Sequence, residues 1–295
     1  MFSIIIPSKN YKNLTNFAFN SLNKQTFKKF EVIFVIYHND YSKIKNFIFQ
    51  YLNSSIDFKL ILIQELNVSL SRNLGIKASK YNWICFLDDD DKWYNNKLEV
   101  ICENIKKKFN FYTHDVLVVK NNKFLYQHSK KISFFFDLQN NIITNRDLLH
   151  SNVIITSSVI INKNIFMKEI FDQELFISED YDLWQRLSAF NDIYFIDSVL
   201  AEYNKNINSQ SDNIVLFEEM SFKRLYKNRD LYDENDFVTA TNRIYFLIIL
   251  KSMSNFNYYS LIKIFKTLIK SNKKYIFVNL VNFFINKITI YFKKN

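Results

Sequence analysis

The 295-residue chain has one glycine, Gly75, and one proline, Pro7. Turns and helix ends therefore lack their usual punctuation. Asparagine must fill many turn positions, because it tolerates left-handed backbone better than most residues. The abundant residues, Ile, Lys, Asn, Phe and Tyr, share AT-rich codons, so the scarcity reads as genome bias rather than a structural class. Two cysteines, Cys85 and Cys102, are too few for a disulfide scaffold and point to a reducing compartment. His38, His114, His128 and His150 show no metal-ligand spacing and read as surface or packing residues. No stretch of about 18 residues is free of polar groups, which argues against a spanning helix. The opening MFSIIIPSKN has no basic region ahead of a long apolar stretch and predicts no signal peptide.

Acidic residues are also absent beyond Asp236. The chain carries 39 Lys+Arg and 29 Asp+Glu; ten of the basic residues follow Asp236, leaving 29 of each sign before it. The whole net charge of +10 thus lies in the tail. That asymmetry predicts a change of organisation and attraction to an anionic partner. Drift toward lysine is the plainer alternative. The 48% hydrophobic content fits a globular chain rather than a disordered one.

The first half alternates short apolar runs with helical periods. Phe2–Ile6, Glu31–Ile36, Lys59–Ile63 and Trp83–Leu87 read as buried strands. Between them, Leu14, Phe17, Ala18 and Leu22, then Ile44, Phe47, Ile48, Tyr51 and Leu52, then Leu70, Leu74 and Ala78 recur at helical spacing. Leu98, Ile101, Cys102, Ile105 and Phe109 continue the pattern. Repeated βα units predict a doubly wound, mostly parallel sheet flanked by helices, with ligands beyond the carboxyl ends of the strands. Farther on, Asp115–Val119, Val159–Ile161 and Ile193–Ile196 read as strands and Asp180–Leu187 as a short helix. The tail reads as helical, with an apolar stripe through Phe277, Leu280, Val281, Phe284, Ile285, Ile288 and Phe292.

Asp88–Asp91 sit at such a strand end. Four adjacent carboxylates repel, and each pushes its neighbours toward protonation. A divalent cation removes that cost, and oxygen ligands suit Mg²⁺ or Mn²⁺. If the chain is extended there, Asp88 and Asp90 point the same way. A solvated acidic turn preceding a helix is the alternative. An EF-hand is a poor reading: Asp88, Asp90 and Glu99 have suitable offsets, but Trp93 stands where that loop needs glycine.

Five segments stand in one order: SIIIPSKN (3–10), LNKQTFKKFEVIFV (22–35), SLSRNLGIKAS (69–79), WICFLDDDDKW (83–93) and SEDYDLWQRL (178–187). Together they resemble family 2 glycosyltransferases of the GT-A fold, over about residues 1–210. The resemblance implies a catalytic domain at 1–210, and the charge and helical period leave a basic helical extension at 211–295. It implies inverting transfer from a nucleotide-diphosphate sugar, with a UDP-sugar expected. Asp88 and Asp90 match the family's DxD positions and would bind metal and diphosphate; Pro7 and Arg72 would lie beside the nucleotide. Asp180 becomes the general base, supported by Glu179. For Trp184 and Arg186, core packing and a structural ion pair compete with substrate roles.

Departures from the family pattern are visible. Ile36 and Tyr37 stand where it has acidic residues after the second strand, with Asp40 a possible substitute in donor binding. Asn206 stands where it often has a metal-ligating histidine. The second hypothesis is accordingly a catalytically degenerate glycan- or nucleotide-binding protein on the same scaffold. A nucleotidyltransferase is disfavoured by the lack of a glycine-rich phosphate loop. The acceptor class expected is a glycan or lipid-linked glycan of bacterial lipopolysaccharide, capsule or O-antigen. The aromatic, basic tail suits peripheral contact with the inner face of the cytoplasmic membrane. Packing on the catalytic domain or dimer formation is the alternative for the tail. No nucleic-acid motif is present, and no nucleic-acid partner is expected.

Overall fold

The computed structural model describes residues 1–15, 17–105, 109–120, 123–127, 139–167, 170–205 and 213–254. His128, Asn206 and the apolar stripe of the tail lie outside them. The chain divides into two compact units, Met1–Ile207 and Asn208–Asn295.

The first unit is built on a ten-stranded sheet. In chain order the strands are β1 (Phe2–Ser8), β2 (Phe30–Tyr37), β3 (Asp57–Ile63), β4 (Trp83–Phe86), β5 (Lys92–Trp93), β6 (Phe111–Lys120), β7 (Lys123–Gln127), β8 (Ile142–Ile143), β9 (Ile160–Asn162) and β10 (Ile193–Asn204). Their spatial order is β3-β2-β1-β4-β9-β6-β10-β5, with β7 on β6 and β8 on β10. The first four strands pair parallel, as the alternating βα pattern predicts. The second half is mixed: β6 and β10 are parallel to each other, while β9 runs antiparallel between β4 and β6. A strand of three residues can fill that slot without a crossover helix, and its hydrophobic run alone does not reveal its direction.

Alternation along β1 and β2 feeds two cores. Ile4, Ile6, Val32, Phe34 and Ile36 enter one; Ile5, Ile33 and Val35 enter the other. Both faces of these strands are therefore buried, which explains their unbroken apolar runs. The helices Tyr41–Tyr51 and Val68–Ala78 are each capped by a side chain, Asp40 accepting from the Lys43 amide and Asn67 from the Leu70 amide. The expected stripe from Leu14 to Leu22 is split into a 3₁₀ turn, Tyr11–Thr15, and a short helix, Ala18–Asn23. Leu14, Ala18 and Leu22 are nonetheless fully buried.

The single glycine has a packing reason. A Cβ at Gly75 would lie 2.4 Å from Ile5 Cγ2, so the Val68–Ala78 helix can approach β1 this closely only with glycine there. The ladder between β1 and β4 ends at Ile5, two residues before Pro7, so the proline interrupts no pairing on that side.

In the second unit, helices Ile214–Lys227 and Glu234–Ser254 pack through Phe222 on Tyr245 and Tyr226 on Phe237. Among the described residues no helix is long and apolar enough to cross a membrane.

Candidate active site

The chain leaves β4 and turns at once. Asp91 N–H donates to Asp88 C=O at 3.1 Å, so Asp88–Asp91 form a tight turn. This corrects the extended geometry from which Asp88 and Asp90 were expected to point alike. Ser8, at the end of β1 next to Pro7, donates its hydroxyl to Asp89 Oδ2 at 2.5 Å, and Asn13 reaches the same oxygen at 3.3 Å. The turn is thus tied to the end of the neighbouring strand. Burial pushes the Asp89 carboxyl up, opposed by the Ser8 hydrogen bond.

Arg72 joins the two acidic segments. One guanidinium nitrogen donates to Asp88 Oδ1 at 3.0 Å and the other to Glu179 Oε1 at 2.8 Å. The arginine side chain is 5% exposed, Glu179 12% and Asp88 28%. Phe171 lies under the guanidinium at 5.3 Å. Burial works against the arginine's charge, but Asp88, Glu179 and Asp180 outweigh it and hold Arg72 firmly protonated. Arg72 is thus buried between two carboxylates rather than lying on the surface. Residues separated by 107 positions in the chain are brought into one buried ion-pair network.

Glu179 and Asp180 open the Glu179–Ser188 helix, where negative charge complements the unpaired amides. The preceding residue, Ser178, has φ 65° and ψ 22°, a left-handed conformation that costs a non-glycine residue about 1 kcal/mol or more. Burial pushes the Glu179 carboxyl up to about 7, helped by Asp180 and opposed by Arg72. Asp180 is also raised by burial, against the pull of Arg72. Its two oxygens are held separately: Tyr181 N–H donates to Oδ1 at 2.6 Å and the Thr156 hydroxyl to Oδ2 at 2.9 Å.

Thr156 belongs to a short turn, Thr156–Ser158, that the sequence reading passed over. All three hydroxyls are buried and bonded. Thr156 holds Asp180, Ser157 Oγ accepts the Asp88 amide at 3.1 Å, and Ser158 Oγ lies 2.7 Å from Thr113 Oγ1. Behind the turn, the Ser157 carbonyl accepts from Lys97 Nζ at 2.6 Å and from Trp93 Nε1 at 3.0 Å. Lys97 is fully buried, 3.7 Å from the Trp93 ring centroid, and burial pulls its ammonium down to about 7. The available signal was three hydroxyl residues inside the apolar run VIITSSVII: buried polar groups need partners.

The other singled-out residues fall elsewhere. Asp40 caps the Tyr41–Tyr51 helix and takes no part in the Arg72 network. Its amide donates to His38 Nδ1. Ile36 is fully buried, while Tyr37 is 40% exposed at the end of β2. Trp184 is core, against Phe86, Phe111 and Phe171. Arg186 pairs with Asp182 one helical turn back, at 2.7 Å. His114 is buried. Burial raises the Tyr203 phenol, and Asp91, Asp88, Asp180 and Asp90 add to it, so its ring stands within the field of the acidic cluster.

The sequence profile of the family described as "Glycosyl transferase family 2" matches residues 3–171. The amylovoran biosynthesis glycosyltransferase AmsB of Erwinia amylovora is 25% identical over 199 residues, a match covering 62% of each chain. The Escherichia coli UDP-Glc:alpha-D-GlcNAc-diphosphoundecaprenol beta-1,3-glucosyltransferase WfgD is 27% identical over 252 residues, covering 83% of this chain and 90% of that one. The crystal structure of S. aureus TarS 1-349 in complex with UDP-GlcNAc shares the fold, with a TM-score of 0.59 at 18% identity over 86% of this chain and 72% of that one.

Proposed function

The chain belongs to glycosyl transferase family 2, and on that premise we propose that it transfers a sugar, with inversion, from a UDP-sugar to a glycan hydroxyl in bacterial surface polysaccharide synthesis. The observation that carries this reading is Arg72 bound at once to Asp88 and Glu179, which unites the two acidic segments beyond the strand ends. In the proposed reaction Asp180 takes the proton of the acceptor hydroxyl. The acceptor oxygen bonds to the sugar C1 from the face opposite the leaving group. The C1–O bond to the diphosphate breaks, and the nucleoside diphosphate leaves with the electron pair. A carboxylate raised by burial is a better base than an exposed one, so the Asp180 environment supports the role. Glu179 neutralises and orients Arg72.

A divalent cation, Mn²⁺ or Mg²⁺, fits the donor set of the turn. Asp88 and Asp90 offer hard carboxylate oxygens, and the Asp88 side chain is partly open. Among the described residues no group of three or more His, Cys, Asp and Glu could hold a metal ion by itself. Mg²⁺ takes one or two carboxylates and completes its shell with substrate phosphates and water. Such an ion supplies charge to stabilise the departing diphosphate.

WfgD is named for a diphosphoundecaprenol-linked acceptor, and the ten uncompensated basic residues after Asp236 suit an anionic membrane surface. A lipid-linked glycan at the cytoplasmic face of the membrane is accordingly the acceptor class proposed. Tyr37 and Ile36, in place of acidic residues at the end of β2, favour a second reading in which nucleotide binding persists without transfer. The deciding experiment is Asp180→Asn assayed at saturating UDP-sugar. Transfer falls about 10²–10⁴-fold with UDP binding retained if the first reading holds. Full activity in that variant would remove Asp180 as base. Absence of turnover in the unaltered protein, with UDP bound, would support the second reading.

A further inference from the structure

The Thr156–Ser158 turn touches both halves of the site from one short piece of backbone. Thr156 Oγ1 donates to Asp180 Oδ2 at 2.9 Å, and the neighbouring Ser157 Oγ accepts the Asp88 amide at 3.1 Å. We propose that Thr156 and Ser157 are positioning residues that fix the base and the donor-side aspartate in one frame, with Lys97 and Trp93 clamping the turn from the core side. This deepens the reading of Asp180 as base and rests on it.

The geometry argues for a brace rather than incidental packing. Thr156 is 5% exposed and Ser157 1%, so neither hydroxyl has water as a ready substitute partner. Asp180 has a donor on each oxygen, Tyr181 N–H on Oδ1 and Thr156 on Oδ2. With both bonds made, rotation of the carboxylate about its last torsion is blocked. With only the backbone bond, it can turn. The turn itself cannot slide, because its central carbonyl accepts from two buried donors on the segment after β4, Lys97 Nζ at 2.6 Å and Trp93 Nε1 at 3.0 Å. Ser158 is tied to Thr113 of β6. The brace therefore ties the segment after β4, from Asp88 to Lys97, to β6 and the Glu179–Ser188 helix. Proximity contributes to catalysis only when reacting groups are held to within fractions of an ångström.

Arg72 links the same two segments through ionic contacts, at a partly open end of the site. The hydroxyl brace links them through neutral groups inside it. A donor-side cation held by Asp88 would draw on an Arg72 partner but not on Thr156, so the brace would keep the base oriented if those charges rearranged.

The test compares shape with chemistry at Thr156. Thr156→Val keeps the shape and removes the hydroxyl; Thr156→Ser keeps the hydroxyl and removes a methyl. Kinetics with UDP-sugar and acceptor are read beside thermal melts and UDP titration, with Asp180→Asn as control. The expected result is a kcat about tenfold lower in Thr156→Val, the scale of one hydrogen bond to a charged group, with donor KM unchanged and Thr156→Ser near the unaltered protein. Equal kcat in Thr156→Val overturns the inference, as does a loss in Thr156→Ser that matches the loss in Thr156→Val. If Thr156→Val does not fold, Thr156→Ala takes its place in the same comparison with serine. Activity retained in Asp180→Asn would instead remove the base assignment on which the inference stands.

Discussion

Asp88 and Asp91 are the same residue at the two ends of one tight turn, and the fold gives them opposite circumstances. Asp88 faces Arg72 with its side chain 28% exposed, so its charge is both compensated and available. Asp91 is 1% exposed and accepts the Asn204 amide at 2.9 Å. Burial, with Asp90 and Asp88 nearby, pushes its carboxyl well above the usual range. The difference teaches that an acidic run is not one functional unit. Its outer member can interact with a ligand, while its inner member closes the turn against β10.

Substitutions can break or sharpen that contrast. The largest effect is expected at the group that makes Asp88 useful. Arg72→Met leaves Asp88 and Glu179 without their buried cation, and breaking a buried pair on one side costs about 3–5 kcal/mol. Urea melts should show that loss together with collapse of transfer activity. An unchanged midpoint would mean that the ion pairs do not brace the site.

Next comes the contrast itself. Asp88→Asn should lower kcat/KM about 100-fold, with a smaller loss of stability than Arg72→Met because Arg72 keeps Glu179. Asp91→Asn should stay near the unaltered protein, because an amide resembles the neutral acid that burial favours. Equal losses in both variants would mean that both carboxylates act as anions.

The smallest effect lies in the interior, where Lys97 has its ammonium pulled down to about 7. Between about pH 7 and its unfolded pKa near 10.4, the unfolded chain holds a proton on Lys97 that the folded chain lacks. Stability therefore rises with pH in that window, by up to about 1.4 kcal/mol per unit, and is lost again as pH falls through about 7. Denaturant melts of the unaltered protein and Lys97→Met at pH 7.5 and 9.5 measure the difference. Parallel pH dependence in the two would show that Lys97 is charged in the fold.

Legibility in the sequence followed how local each feature is. The strands β1 to β4 and the helices between them were readable, because period-two and helical spacing are properties of consecutive side chains. The acidic cluster is legible but its backbone is not: four aspartates do not reveal whether the chain is extended or, as here, closed into the alternative turn by Asp91 N–H on Asp88 C=O. The role of Asp40 as a helix cap, accepting the Lys43 amide, likewise depends on where the helix starts. Thr156, Ser157 and Lys97 were missed. A hydroxyl or a lysine announces nothing until the fold shows that it is buried and what it faces.

The sequence by itself determined the alternation of strand and helix, the neutral first 236 residues and basic remainder, and the two acidic segments near 88 and 180. Those follow from residue order, charge and period. Only the tertiary structure decided that β9 enters antiparallel between β4 and β6, that Arg72 spans Asp88 and Glu179, and that one buried turn holds both aspartates. The physical reason is that these are pairings across 16 to 107 positions of chain. Each is paid for by burial that no single segment can achieve alone.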